Sequence, residues 1–340
     1  MGIRFNFRVG RFIKSYVPFL HWRDSYYYLQ AQGYWVLANW RLFEMTGEAL
    51  YRDVALTCSE QMLKAQRADG AWEYPNPEWK HRVATAEGTW ASLGLLATYR
   101  QTRNGRFLDA VLRWHQYLID EVGFEKLNDE LAVNYFAGRR RARVPNNSAF
   151  VLRFLADLAD ATANIAYLEH CKGLLTFLTR AQKATGEFPY MVQGTLAGGR
   201  CWEHFQCFQY NAFQCLDLMR YHEITSDSAA QPLILNCLGF LRGGLAEDGH
   251  AFYDCGDRHR QVLYHAAAVG AAFAGAQRLD VHDHDALRRN AFAYVMRGQR
   301  RDGSFPFSHG EYYLLRDGRS YPRALSMMLF HILLNLQTEG

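Results

Sequence analysis

The chain has 340 residues, 49% of them apolar and 15% aromatic, with eight prolines and a formal net charge of +4. That mild charge excludes the concentrated basic face of a nucleic-acid reader, and no apolar run is long enough for a helical membrane span. Seven cysteines, an odd number lying mostly inside helix-like segments, do not form a disulfide framework and point to a reducing, cytoplasmic setting.

The first segment, "MGIRFNFRVGRFIKSYVPFL", has no continuous apolar core, so it does not read as a signal peptide, and it lacks the Ser/Thr of a myristoylation site. Phe5, Val9, Phe12, Ile13 and Tyr16 follow helical spacing beside Arg4, Arg8, Arg11 and Lys14. This predicts an amphipathic helix over 1–20 that docks on the rest of the fold; weak contact with a membrane surface is the second reading. Next come "YYYLQAQGYWVLANWRLFEMTGE" and "LYRDVALTCSEQMLKAQ", then "ATAEGTWASLGLLATYRQT" and "GRFLDAVLRWHQYLIDEV". "NNSAFVLRFLADLADAT" and "AYLEHCKGLLTFLTRAQ" follow, then "HFQCFQYNAFQCLDLMRYHEIT" and "AAQPLILNCLGFLRGGL". "VLYHAAAVGAAFAGAQRL", "DALRRNAFAYVMRGQ" and "YPRALSMMLFHILLNLQ" end the chain. With the 1–20 helix this makes about twelve helices in six hairpins.

Between hairpins the chain repeats one turn: "AQRADGAWEYP", "AQKATGEFPYM", "LAEDGHAFYDC" and "GQRRDGSFPFS". Their glycines are Gly70, Gly186, Gly249 and Gly303, and Gly123 fills the gap at steps of 53, 63, 63 and 54 residues. That period is too long for short solenoid repeats and fits two helices with two connections. In each pair the first helix is rich in Ala, Gly and aromatics, so it is buried all round; the second carries charge along one face. The expected fold is all-α, an (α/α)6 toroid in a single domain over 1–340. Every repeated turn then lies at one rim, beside the N-termini of the inner helices, whose free N–H groups favour anions.

The rim segments hold the candidate site residues: Trp72, Tyr74, Arg82, Glu87, Asn134, Arg143, Asn146, Asn147, Glu187, Tyr190, His204, Tyr210, Asn211, Tyr264, His265, His309 and Arg323. Any one of these can be explained by loop packing. Their recurrence in six loops points to a pocket for a saccharide or another acidic small molecule, in which rings stack on sugar faces and polar groups fix hydroxyls. No phosphate loop, G-x-S-x-G or H-E-x-x-H is present. Cys201, His204 and Cys207 spread over too wide an arc of one helix to close a metal site, so no metal and no cofactor is expected.

Two resemblances bear on function. The "Q-x-x-D-G-x-W/F" turns resemble the repeats of terpenoid cyclases and protein prenyltransferases. The acidic D-x-D-D motif of class II cyclases is absent, and Asp254 and Cys255 are adjacent where the prenyltransferase zinc motif separates them by one residue. Residues 180–275 more closely resemble the C-terminal helical domain of D-glucuronyl C5-epimerases, through "GEFPYM", "QYNAFQCLDLMRYHEIT", "DGHAFYDC" and "VLYHAAAVGAA"; "WRLFEMTGEALYRD" is similar to the hairpin of six-hairpin sugar enzymes, the N-acetylglucosamine 2-epimerases included. The resemblance implies a catalytic tyrosine at Tyr264 and a loop glutamate at Glu187. The family's second tyrosine falls on Phe188, with Tyr190 two residues away, and its second histidine falls on Ala268. The expected function is a carbohydrate-active enzyme that removes a proton next to a uronic acid carboxylate, as an epimerase or a lyase does, with a tyrosinate or His265 as base. Hydrolysis by Glu187 and Glu87 is the close variant. A terpenoid- or prenyl-handling toroid and a non-catalytic glycan-binding toroid are the alternatives.

Overall fold

The computed structural model describes residues 13, 16–17, 26–76, 79–138, 143–192, 204–312 and 315–336. Among them are eleven α-helices in two concentric layers. The inner helices are α1 (Leu29–Thr46), α3 (Thr85–Thr102), α5 (Pro145–Thr162), α7 (Cys207–Thr225), α9 (Leu263–Gln277) and α11 (Pro322–Leu336). The outer ones are α2 (Ala49–Ala65), α4 (Gly105–Tyr117), α6 (Cys171–Ala181), α8 (Ala230–Arg242) and α10 (Asp285–Arg297). Each inner helix packs on the next, and α11 packs on α1, so the ring closes. Helix α9 is buried from His265 through Ala276 without a break. Helix α4 buries only Phe107, Ala110, Val111 and Trp114, the stripe of an amphipathic outer helix. This is the expected (α/α)6 toroid. The anticipated 1–20 helix lies outside the described residues except at three positions: Ile13 and Tyr16 are helical, and the Tyr16 hydroxyl accepts from the Arg316 N–H at 3.2 Å. No described helix is long and apolar enough to cross a membrane. Among the described residues the strands form a hairpin, β1 (Phe124–Leu127) with β2 (Glu130–Val133), and an antiparallel trio, β3 (Gln261–Val262), β4 (Ser308–Tyr312) and β5 (Leu315–Asp317).

The repeated glycines build one turn four times. Gly70, Gly186, Gly249 and Gly303 all have φ between 80° and 91°. In each turn the glycine N–H bonds back three residues, to Arg67, Lys183, Ala246 and Arg300, and those residues in turn bond forward to the carbonyl of the residue after the glycine. In three copies a glutamine closes the turn: Gln66, Gln182 and Gln299 donate to the carbonyls of Gly70, Gly186 and Gly303. Gln66 and Gln182 also reach Ala110 and Leu233 on the next outer helix, so the turn staples neighbouring hairpins together. A Cβ on Gly186 would collide with the backbone carbonyl of Asn236, whereas a Cβ on Gly303 meets nothing within 4 Å among the described residues. Gly303→Ala is therefore expected to cost only left-handed backbone strain, about 1–2 kcal/mol. Gly186→Ala adds a helix displacement and is expected to cost about 3 kcal/mol or more. Urea unfolding of the two variants measures the difference; equal losses would contradict it.

Side chains from five inner helices meet on the ring axis and close it half-way down. Tyr34 stacks on Trp90 at 4.0 Å, Phe213 stacks on His331 at 5.2 Å, and Arg153 lies over Trp90 at 5.2 Å and reaches Phe330 on the opposite wall. Arg153 bonds Asp217 at 3.1 Å, and Asp157 collects Arg100, Arg153 and Arg220. Burial pushes the Asp217 carboxyl up to about 6, with Arg153 opposing. A raised acid stabilises the fold below its unfolded pKa, about 3.9, and that stability is lost as pH rises through 6. Asp217→Asn is expected to abolish that decline between about pH 4 and pH 6. Denaturant melts of both proteins across that range check it, and an unchanged slope in the variant would count against it.

Candidate active site

At the end of the ring where the inner helices begin, Glu87, Tyr28, Tyr74 and Tyr210 gather around Arg323, and the space they surround is the candidate pit. Arg323, on the first turn of α11, is enclosed by protein yet keeps solvent-accessible surface, as a side chain at the bottom of a pit does. Its guanidinium bonds the Gln30 side chain at the start of α1 and lies 4.7 Å over the Tyr28 ring. Glu87, on the first turn of α3, is fully buried. One of its oxygens accepts from the Gln30 N–H at 3.0 Å. Its other oxygen, Oε1, and the Arg323 Nε have no partner among the described residues. Buried polar atoms are nearly always paired, so both of these atoms keep unspent hydrogen-bonding capacity at the start of the inner helices. At the first turn of α5, Asn146 Oδ1 and Asn147 Nδ2 are orphaned in the same way.

A belt of aromatic rings circles the mouth. Tyr28 meets Tyr74 at 5.8 Å, Tyr74 meets Trp79 at 5.1 Å, and Trp79 meets Phe136 at 5.2 Å. Phe136 meets Tyr135 at 4.7 Å, Tyr135 hydrogen-bonds Tyr190, and Tyr190 packs on Tyr210 at 5.1 Å. Arg82 lies on the belt's outer side, 5.6 Å over Phe136. Burial dominates the electrostatics here. It raises the Tyr190, Tyr210, Tyr135 and Tyr74 hydroxyls, which stay protonated donors. Burial also raises the Glu87 carboxyl, against the pull of Arg323 and of the Gln30 and Leu29 N–H groups. Burial opposes the Arg323 charge, while the Tyr74, Glu87, Tyr28 and Tyr210 oxygens around it favour it, and the net shift is upward.

The structure sorts the sequence candidates. Glu87, Arg323, Tyr74, Tyr190 and Tyr210 act on one another around the pit, and Asn146 and Asn147 open α5 with unpartnered amide atoms. Tyr135, from the same rim segment as Asn134, joins them, as do Tyr28 and Gln30, which were not among the sequence candidates. The expected helix start at Tyr26 is corrected: Tyr26–Tyr28 lie outside the helix, Tyr28 is extended, and α1 begins at Leu29, with the Tyr28 ring packed onto Tyr74. Trp72 is corrected to a packing role, since its Nε1 donates to the Met62 carbonyl and its ring sits on Trp114 between the layers. Asn134 spends its amide on the Val122 carbonyl. Arg143 is buried against Glu130 and the Phe177 ring. Asn211 clamps the backbone of Phe188, and His309 faces Tyr294 on outer helix α10. All four are engaged by protein neighbours, while Asn134 Oδ1 and Arg143 Nε also have no partner among the described residues.

Tyr264 opens α9 beside Phe307 and His265 and is close enough to Tyr210 to raise its hydroxyl. His265 is fully buried, faced by the Tyr253 and Tyr264 rings, and pushed down to about 3 by burial and Arg260. It is neutral and a weak proton acceptor, which corrects its reading as a base. Glu187 is not free to act at the pit: Lys183 holds it at 3.3 Å and His204 at 2.9 Å. The sequence weighed His204 only beside Cys201 and Cys207. Cys201 lies outside the described residues, but Glu187, His204 and Cys255, from three different segments, bring their ligand atoms within 4.8 Å of one another. Two cavities lie away from the pit. One, about 390 Å³, is lined by charged residues including Arg67, Asp69 and Asp120. The other, about 210 Å³, lies beside Cys255 between Phe208 and Phe252.

No protein-family model matches the chain, and no curated protein matches it in sequence. Solved structures do match its fold. Cellobiose 2-epimerase from Bacillus thermoamylovorans B4167 superposes with a TM-score of 0.73 at 13% identity, over 96% of this chain and 99% of that one. A glycosyl hydrolase family 88 protein from Bacteroides vulgatus matches with a TM-score of 0.70 at 11% identity, over 97% of each chain. A polysaccharide lyase matches with a TM-score of 0.69 at 11% identity, over 97% of this chain and 94% of that one.

Proposed function

We propose that this toroid is a carbohydrate-active enzyme that removes the proton next to the carboxylate of a uronic acid residue, in the manner of a uronyl C5-epimerase or a lyase. The carrying observation is the charged Arg323 and the half-satisfied Glu87, each with an unpartnered atom, beneath a belt of protonated phenols. Solved structures of the same fold include sugar epimerases, a hydrolase and a lyase, which supports the substrate class.

The chemistry follows from the charges. The Arg323 guanidinium offers the planar fork that fits a carboxylate. Ionised Glu87 takes the C5 proton, and the electron pair moves into the carboxylate as an enolate whose charge Arg323 offsets. Tyr190 or Tyr210 then supplies a proton. Delivered to the opposite face of C5, it inverts that centre. Delivered to the departing O4 as the C4–O4 bond breaks, it leaves a 4,5-unsaturated sugar. An aromatic cavity for carbocations fits less well, because a buried guanidinium would repel the cation.

Incubation with a panel of acidic oligosaccharides in D2O tests this. Deuterium gained at C5 without chain cleavage identifies an epimerase, and ultraviolet absorbance from a conjugated double bond identifies a lyase. New reducing ends with neither signal would replace proton abstraction by hydrolysis. No turnover and no binding of any uronate would overturn the reading.

A further inference from the structure

We propose that Glu187, His204, Cys207 and Cys255 form a site for a thiophilic divalent cation of the zinc class. It is separate from the pit and independent of the function proposed above. His204 Nδ1 stands 2.9 Å from Glu187 Oε1. The ligand atoms of Glu187, His204 and Cys255 lie within 4.8 Å of one another, and Cys207 Sγ is 3.1 Å from Cys255 Sγ. Ligand atoms about 2.0–2.3 Å from a tetrahedral ion stand roughly 3.3–3.8 Å apart; Glu187, His204 and Cys255 are near that spacing, and Cys207, outside that trio but beside Cys255, swings its thiol inward to complete the shell. One imidazole, one carboxylate and two thiols are four donors, with the softness that selects zinc over calcium or magnesium.

The surroundings suit a metal. Glu187 is almost fully buried, and its second oxygen is held by Lys183 at 3.3 Å, an outer partner of the kind that orients a ligating carboxylate. His204 and Cys255 are exposed, which leaves the ion an entry path. The four residues come from three segments: the turn after α6, the start of α7 and the turn after α8. An ion here ties three rim segments together and anchors the first turn of α7, which carries Tyr210.

The test uses the full chain, purified under reducing conditions. Elemental analysis is expected to find about one zinc per chain. Replacement with Co2+ is expected to give a thiolate-to-cobalt charge-transfer band and a tetrahedral d–d spectrum. His204→Ala and Cys255→Ser, both at exposed positions, should lose the band, and chelation of the wild type should lower its melting temperature. Metal-free protein with two reduced thiols and no cobalt spectrum would overturn the site. So would a Cys207–Cys255 disulfide as the resting state under the same reductant, seen by mass spectrometry, because it would show the thiols built to bond each other.

Discussion

Arg323→Met is expected to lower turnover on a uronate substrate at least about a thousand-fold, because it removes the charge placed to offset the enolate. The loss should fall on kcat as well as on KM, since the carboxylate gains negative charge in the transition state beyond what it carries when bound. Arg323→Lys keeps the charge and loses the fork, so its turnover should lie between the two. The fold is expected to survive. Arg323 gives up one side-chain bond to Gln30 and its stacking on Tyr28, a loss of about 1–3 kcal/mol. Removing the cation also frees Glu87 from the charge that pulls its carboxyl down, so residual activity should need a higher pH than the wild type does. Turnover close to wild type in Arg323→Met, with circular dichroism unchanged, would remove Arg323 from the mechanism.

Glu87→Gln is the second large effect, a fall of about a thousand-fold or more in kcat, because the amide cannot accept a proton and keeps the carboxylate's shape. Stability should move the opposite way. Burial raises this carboxyl, so the wild type has its full contribution at low pH and loses it as pH rises through the folded pKa. The variant should match the wild type near pH 4 and equal or exceed it near pH 8. In the wild type, the acid limb of the kcat profile should lie above the ordinary carboxylate range. Melting temperatures at the two pH values, measured alongside turnover, separate the roles. A variant destabilised at pH 8 with turnover intact would make Glu87 a core residue.

The layers and the turns were legible in the sequence because both are local. An apolar helix free of charge, such as α9, can only be an inner one, and a glycine at positive φ announces itself by recurring. Glu87 and Arg323 were legible as polar residues opening apolar helices. What periodicity cannot show is the direction in which a rim side chain points. Trp72 follows its glycine as a sugar-stacking ring would, but it turns between the layers and gives its N–H to Met62. Tyr28 and Gln30 were missed because "YYYLQAQ" reads as one continuous core helix. The meeting of Cys255 with His204 was hidden for another reason: 51 residues separate them along the chain, and only the ring's curvature brings them together.

The hydrogen bond from Arg323 to Gln30 spans 293 residues, and it sits on the seam where α11 meets α1. Contacts of that sequence separation form late, after the loop entropy of nearly the whole chain has been spent. The groups assigned to chemistry are therefore assembled by the final closure of the ring. A nascent or C-terminally shortened chain carries every other hairpin and still lacks the guanidinium, so on the proposed mechanism a partly made chain is silent until the last helix has docked.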